Sequence, residues 1–173
     1  MREQVHRATH ELLLTSRWSQ LSLAAIATAA EVQPSTLYRR WGDLATLLDE
    51  VVTERLTVVS PLPDTGSLEQ DLLRWATRMA DDLAGPDGVI WLRASLLIAG
   101  ESTAGEVGTV QLSGRGQQIQ AVLDRARARG EPVPDFREVF ELVIGPLYGY
   151  ALFQRQYLQR RAPALVERLL SAR

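Results

Sequence analysis

Apolar residues return every three or four positions along this sequence, and no stretch alternates apolar and polar with the two-residue period of a strand face. That pattern admits an all-α fold. Val5, Ala8, Leu12 and Leu13 predict a first helix over residues 4–15. Leu23, Ile26, Ala27 and Ala30 predict a second, with Ser22 as its N-cap and a stripe of small residues that lets a neighbouring helix come close. The run EVQP breaks this pattern, because the residue before a proline is pushed out of the helical region. Pro34 then suits the first turn of a short third helix, and Gly42 stops it after Trp41. Asp43 caps a fourth, carrying Leu44, Leu47, Leu48, Val51 and Val52 to about Val58.

The run SPLPDTGS at 60–67 has two prolines, a glycine and no period. It divides the chain into a unit of residues 1–58 and a second of residues 59–173. Ser67 and Gln70 have the spacing of a capping box and open a helix with Leu68, Leu72, Trp75, Ala76, Met79 and Leu83. GPDG at 85–88 is a turn, and Val89 to Ala99 form a strongly apolar helix. Residues 100–116 hold five glycines and predict broken helix or loop, a candidate lid. Ile119, Val122, Leu123 and Ala126 belong to a further helix that Gly130 ends. Asp135 and Glu138 form a second capping box at the head of a long helix, apolar almost all round, which Gly145-Pro146 should kink. A last helix is expected from about Pro163.

Composition narrows the chemistry. There is no cysteine, so disulfides, thiolate metal sites and cysteine nucleophiles are excluded. The only histidines, His6 and His10, lie one helical turn apart with Glu3 nearby, a spacing that reads as a solvated helix face rather than a metal site. No phosphate-cradling glycine motif or nucleophile–base pair is present, so the chain does not read as an enzyme, and no cofactor or metal is expected. No apolar run reaches the roughly 18 residues of a membrane span, and the N-terminus lacks the pattern of a secretory signal, which gives a cytoplasmic expectation. All 19 basic residues are arginine.

Two helices joined by a tight turn, the second short and polar outside, form a helix-turn-helix pattern. Leu37 and Trp41, spaced i and i+4, can anchor the short helix and leave Ser35, Thr36, Tyr38 and Arg39 on its other faces. Hydroxyls and an arginine near such a helix start can reach base edges in a major groove, while a tyrosine hydroxyl and the helix N-terminus suit phosphates.

The run STLYRRWGDLATLLDEV resembles the end of the DNA-binding domain of TetR-family transcriptional regulators. The likeness spans Val5 to Val58, with a core of Ile26-Ala27, Ala30, Val32, Thr36-Leu37-Tyr38, Trp41 and Leu47-Leu48. A second run, LDRARARGEPVPDFREVFELVIGPLYGYALF from Leu123 to Phe153, is similar to one ligand-binding subgroup of that family. The resemblance implies an N-terminal helix-turn-helix bundle with a connecting helix and a C-terminal ligand-binding and dimerisation bundle. It places Ser22, Gln33, Ser35, Thr36, Tyr38 and Arg39 at operator DNA, with Thr36 and Arg39 on base edges and Ser22 and Tyr38 on phosphates. Arg40 beside them joins that set, and Trp18 and Trp41 read as core aromatics.

Three positions depart from the family pattern. Glu31 stands where a turn glycine is usual, Pro34 where a lysine is common, and Leu44 where a lysine commonly holds a phosphate. Residues 1–58 hold six arginines against seven acids. Because DNA affinity leans on phosphate neutralisation, an alternative is a TetR-like dimeric interaction protein with weakened or lost DNA binding.

For the second unit, the all-round apolar helix and the final helix are expected to form a homodimer face through Phe140, Ile144, Leu147, Leu152, Leu165 and Leu169, as a four-helix bundle across a two-fold axis. Trp75, Met79, Trp91, Leu96, Tyr148 and Phe153 are the candidate wall of a pocket for a small apolar or amphipathic effector, with Arg93 and Glu101 as lesser polar candidates. The expected function is a ligand-responsive regulator, in repressor form, that binds a palindromic operator as a homodimer and is released by its effector.

Overall fold

The computed structural model describes residues 1–101 and 113–171, with the side chains of Trp18 and residues 99–101 left aside. All regular elements among them are helical. In chain order they are α1 (Arg2–Thr15), α2 (Leu23–Ala29), α3 (Pro34–Trp41), α4 (Leu44–Val59), α5 (Leu68–Ala84), α6 (Gly88–Glu101), α7 (Gly114–Ala128), α8 (Phe136–Val139), a π-helical turn (Phe140–Ile144), α9 (Gly145–Phe153) and α10 (Leu158–Ser171). Short 3-10 turns fall at Trp18–Gln20 and Arg155–Tyr157.

The caps explain the helix boundaries. Ser22 Oγ accepts from Ala25 N, and Asp43 Oδ1 accepts from Thr46 N at 2.8 Å; the backbone and side-chain bonds from Thr46 hold the Asp43 carboxyl below the usual carboxylate range. Pro34 occupies the first turn of α3, where its missing N–H costs nothing. Beyond α2 the chain closes a Schellman motif: Val32 N–H donates to Ala27 O and Glu31 N–H to Thr28 O. Glu31 therefore carries the left-handed residue, with φ 53°. The same motif ends α7, where Glu131 N–H donates to Ala126 O and Gly130 N–H to Arg127 O, and there the left-handed residue is Gly130, with φ 80°.

Several expectations are corrected here. Ser67 caps α5, but the reciprocal half of the box is absent: Ser67 N–H goes to Thr65 Oγ1, and the free Leu68 N–H is met by Glu131 Oε2 at 2.8 Å. The bond from Leu68, together with Arg129, holds the Glu131 carboxyl low. Asp135 and Glu138 do form a complete capping box. The glycine-rich stretch is helical at both ends, in keeping with broken helix: α6 runs to Glu101 and α7 starts at Gly114 under a Ser113 cap, while residues 102–112 lie outside the described residues. The last helix begins at Leu158 and carries Pro163 inside it. The expected kink at Gly145-Pro146 takes the form of the π turn: Gly145 N–H reaches back five residues to Phe140 O, and Pro146 has no N–H to resume the regular ladder.

Two apolar cores result. The smaller holds Val5, Leu13, Leu23, Ile26, Leu37, Trp41, Leu47 and Leu48, closed by Trp91 and Ala94 of α6. The larger joins α5, α7, the π turn, α9 and α10 through Leu72, Trp75, Leu123, Leu147, Leu158 and Leu169, with Leu92 of α6. Fully burying each such side chain contributes about 1.5–3 kcal/mol. The linker between them is fastened by Asp71, 1 % exposed, whose Oδ1 accepts from both the backbone N–H and the hydroxyl of Thr65.

Candidate nucleic-acid interface and internal cavity

Leu37 and Trp41 are buried on one face of α3, as their spacing predicts. This leaves Gln33, Ser35, Tyr38, Arg39 and Arg40 exposed and Thr36 half-buried on the outer faces. Tyr38 is 53 % exposed, unusual for so large a ring unless it serves a surface role. Arg40 stacks over Trp41 at 4.9 Å, while Arg39 has no carboxylate partner among the described residues. Ser22 lies at the start of α2, exposed but with its Oγ occupied as the cap. The structure thus brings Gln33, Ser35, Thr36, Tyr38, Arg39 and Arg40 together on one short helix, with Ser22 at the start of its neighbour.

Acids close to α3 are engaged elsewhere. Trp41 Nε1–H donates to Glu50 Oε2 at 3.0 Å, and the other Glu50 oxygen meets Arg2 at 2.7 Å and His6 Nε2 at 2.8 Å. His6 Nδ1 lies 2.7 Å from Glu54, so both ring nitrogens face carboxylates. Burial raises the Glu50 carboxyl, but bonds from Arg2, Trp41 and His6 outweigh this and hold it below its ordinary value. His10 points elsewhere and stacks on Trp91 at 5.2 Å. No cluster of three or more potential metal ligands forms among the described residues.

A cavity of about 170 Å³ lies between α4, α5, α6, α7 and the α8–α9 segment. Trp75, Met79, Trp91, Leu96 and Tyr148 line it, as expected from the sequence. Phe153 does not: at the end of α9 it is 84 % exposed. Arg93 is exposed and absent from the wall, and the Glu101 side chain lies outside the described residues. The dimer set also divides. Phe140 and Ile144 belong to the cavity wall, and Ile144, Leu147 and Leu169 are buried in the subunit's own core, so they have no surface left for a second copy. Leu152 is exposed and Leu165 half-buried on the outside.

Sequence reasoning missed the polar part of the wall. Arg115, in the first turn of α7, donates to Ser60 O and, at 2.8 Å, to Gln118 Oε1. Burial pulls its guanidinium down to about 10. Burial raises the Tyr148 phenol, whose hydroxyl is hydrogen-bonded to Ser95. Asp82 is held by Arg55 in a two-pronged pair of 2.6 and 2.9 Å, and Arg55 also stacks over Trp91 at 4.5 Å. Asp49 accepts from Gly114 N. A serine followed by glycines around Arg115 was the one signal available, and it read as loop.

A helix-turn-helix unit with an exposed polar reading helix, joined to a cavity-bearing helical bundle, defines a class: the helix-turn-helix transcriptional regulators. Comparison with known proteins narrows it. A family model described as "Tetracyclin repressor-like, C-terminal domain" matches residues 62–172. The chain belongs to the TetR family of transcriptional regulators, which are not enzymes. An HTH-type transcriptional regulator of Mycobacterium tuberculosis (strain ATCC 25618 / H37Rv) is 30 % identical over 161 residues, 90 % of this chain and 75 % of that protein. The regulator YdeS of Bacillus subtilis (strain 168) is 29 % identical over 146 residues, 82 % of this chain and 73 % of its own. A solved TetR regulator from Agrobacterium tumefaciens superposes with a TM-score of 0.62 at 22 % identity, covering 99 % of this chain and 93 % of that one, a likeness of fold. Regulators of this family bind DNA and dimerise. No helix among the described residues is long and apolar enough to cross a membrane.

Proposed function

We propose that the protein is a ligand-responsive repressor that binds palindromic operator DNA as a homodimer and leaves it when a small effector fills the cavity. Residues 1–58 serve as the DNA-binding domain, and residues 59–173 hold the effector and the second subunit. The observation that carries this reading is that α4 and α6 serve both halves. Val52 and Trp91 each belong to the smaller core and to the cavity wall. An effector that displaces either side chain therefore strains the packing that sets the angle of α3. Trp91 reaches further still, through its stack with His10 on α1. A ligand preferring a state with different α3 spacing then shifts the population off DNA.

In this reading Arg39 and Thr36 meet base edges, Tyr38 and Ser22 meet phosphates, and Gln33, Ser35 and Arg40 complete the contact. The engagement of Glu50 and Glu54 with Arg2 and His6 supports DNA binding despite the acid count. The second copy docks on the outside of α9 and α10, where Leu152 and Phe153 are exposed. Two reading helices then lie about 34–36 Å apart, one helical turn of DNA.

The test is fluorescence anisotropy of the purified protein on the DNA flanking its coding region, titrated at several salt concentrations. Specific binding with a steep salt slope is expected, and Arg39→Ala should weaken it by about 1–3 kcal/mol and relax the sequence preference. Weak binding that ignores sequence, unchanged in Arg39→Ala, would instead favour the dimeric interaction protein.

A further inference from the structure

The cavity is not uniformly apolar, and the polar atoms left unsatisfied on its described wall are ones that donate. Arg115 brings a positive charge to a wall made chiefly of Trp75, Leu92, Ile119, Phe136, Phe140 and Ile144. Its recorded acceptors are both neutral: the Ser60 carbonyl and the Gln118 amide oxygen. Neither of the two wall carboxylates among the described residues answers it. Asp82 is taken by Arg55 with both oxygens, and Asp49 caps the start of α7 through Gly114 N–H. A half-buried guanidinium without a counter-charge is costly, because burying a charge demands pairing as well as hydrogen bonding.

A second, independent observation points the same way. Ser60 and Trp91 also line the cavity, are 1 % and 4 % exposed, and each carries a polar atom with no hydrogen-bond partner: the Ser60 hydroxyl and the Trp91 indole nitrogen. An indole N–H can only donate, and a serine hydroxyl donates readily, so what the site lacks is an acceptor. Buried polar atoms without partners are uncommon enough to demand a reason. Arg115 is bonded to the carbonyl of Ser60 itself, so the guanidinium and one of these unpartnered groups lie on the same short piece of wall.

We propose that the effector of this cavity is an amphipathic organic acid, its carboxylate received by Arg115 and its apolar body lying against the aromatic wall. This rests on the reading of the cavity as the effector site and deepens it by fixing the chemical class. The planar fork of an arginine matches a carboxylate in two-pronged fashion, with a geometry no neutral ligand reproduces. The volume of about 170 Å³ suits a body of one ring or a medium alkyl chain, since a cavity of about 150 Å³ already admits benzene. Because Ser60 closes α4 and Arg115 opens α7, a carboxylate between them would also tie the connecting helix to the effector domain.

The experiment compares two matched pairs of probes on the full chain: octanoate with octanol, and phenylpropionate with phenylpropanol. Quenching of Trp75 and Trp91 fluorescence reads occupancy, and calorimetry gives the affinities. Within at least one pair the acid should bind about tenfold or more tightly than its alcohol, and Arg115→Gln should erase that preference while leaving the alcohol's affinity in place. Alcohols that bind as well as their acids in both pairs overturn the proposal and leave the cavity as the effector site. So does an acid preference that survives Arg115→Gln. Absence of binding by all four probes overturns both readings. If Arg115→Gln does not fold, the wild-type comparison still decides, and Arg115→Lys, which keeps the charge but loses the fork, should retain only part of the preference.

Discussion

Glu31 sits in a left-handed conformation that the motif ending α2 requires, and replacing it with glycine should stabilise the protein. Its φ of 53° carries the steric penalty of a side chain in that region, about 1–2 kcal/mol. Glycine removes the penalty but enlarges the freedom of the unfolded chain, which returns about 0.4–1 kcal/mol. The Glu31 side chain is exposed, so little packing is lost. The net gain for Glu31→Gly is therefore about 0.5–1 kcal/mol, or about 1–4 °C in Tm for a chain of this size. Urea denaturation followed by far-UV circular dichroism, at one protein concentration and one salt concentration, measures it. Two companions isolate the cause. Glu31→Ala keeps the strain and loses the charge, so its midpoint should stay near wild type. Gly130→Ala imposes the same strain on the matching motif after α7 and, with the same offset from the unfolded chain, should lose about 0.5–1 kcal/mol. If Glu31→Ala gains as much as Glu31→Gly, charge rather than backbone conformation is responsible and the reasoning is refuted.

Other consequences are open to equally direct measurement. Because the Glu50 carboxyl is held below its unfolded value, its contribution is present above about pH 4.3 and is lost as pH falls through the lower folded value; Glu50→Gln should lower Tm at neutral pH and flatten its decline on acidification. Asp82→Asn leaves Arg55 stacked on Trp91 without its carboxylate and should cost about 1–3 kcal/mol in urea; a change below a few tenths would mean that the pair contributes nothing. Phe153→Glu should turn a dimer into a monomer in sedimentation without changing probe binding to the cavity, and a dimer that survives it would place the interface elsewhere.

Features that act locally were readable in the sequence. Ser22, Gly42, Asp43 and the Asp135–Glu138 box mark helix ends through bonds to residues three or four positions away, Pro34 does so through its fixed φ, and the structure places them as predicted. The same logic misplaced the start of α10, because Pro163 was read as a beginning while packing against α5 carries the helix back to Leu158. Ile144, Leu147 and Leu169 illustrate a deeper gap. Periodicity says that a helix is apolar on every side but not which neighbour covers each side, and these three are covered from within the subunit. Arg115 escaped for a similar reason: only the return of the linker at Ser60 turns an arginine among glycines into part of a cavity wall.

The π turn has a consequence for what the cavity wall can tolerate. Phe136, Phe140, Ile144 and Tyr148 succeed one another at steps of four and all face the cavity. In a regular helix each step of four overshoots a full turn by about 40°, so the last would drift about 120° from the first. The wide turn at Phe140–Ile144 absorbs most of that drift and works as a phase corrector. Removing one residue there would close the wide turn yet leave Tyr148 and everything after it facing as before, because eleven regular steps of about 100° cover the same rotation that twelve steps cover through the π turn. The wall beyond the turn would keep its side chains, and only the positions inside Phe140–Ile144 would be re-lettered. A single-residue deletion, which elsewhere in a helix re-aims every side chain after it, is at this one position compatible with the cavity wall beyond it.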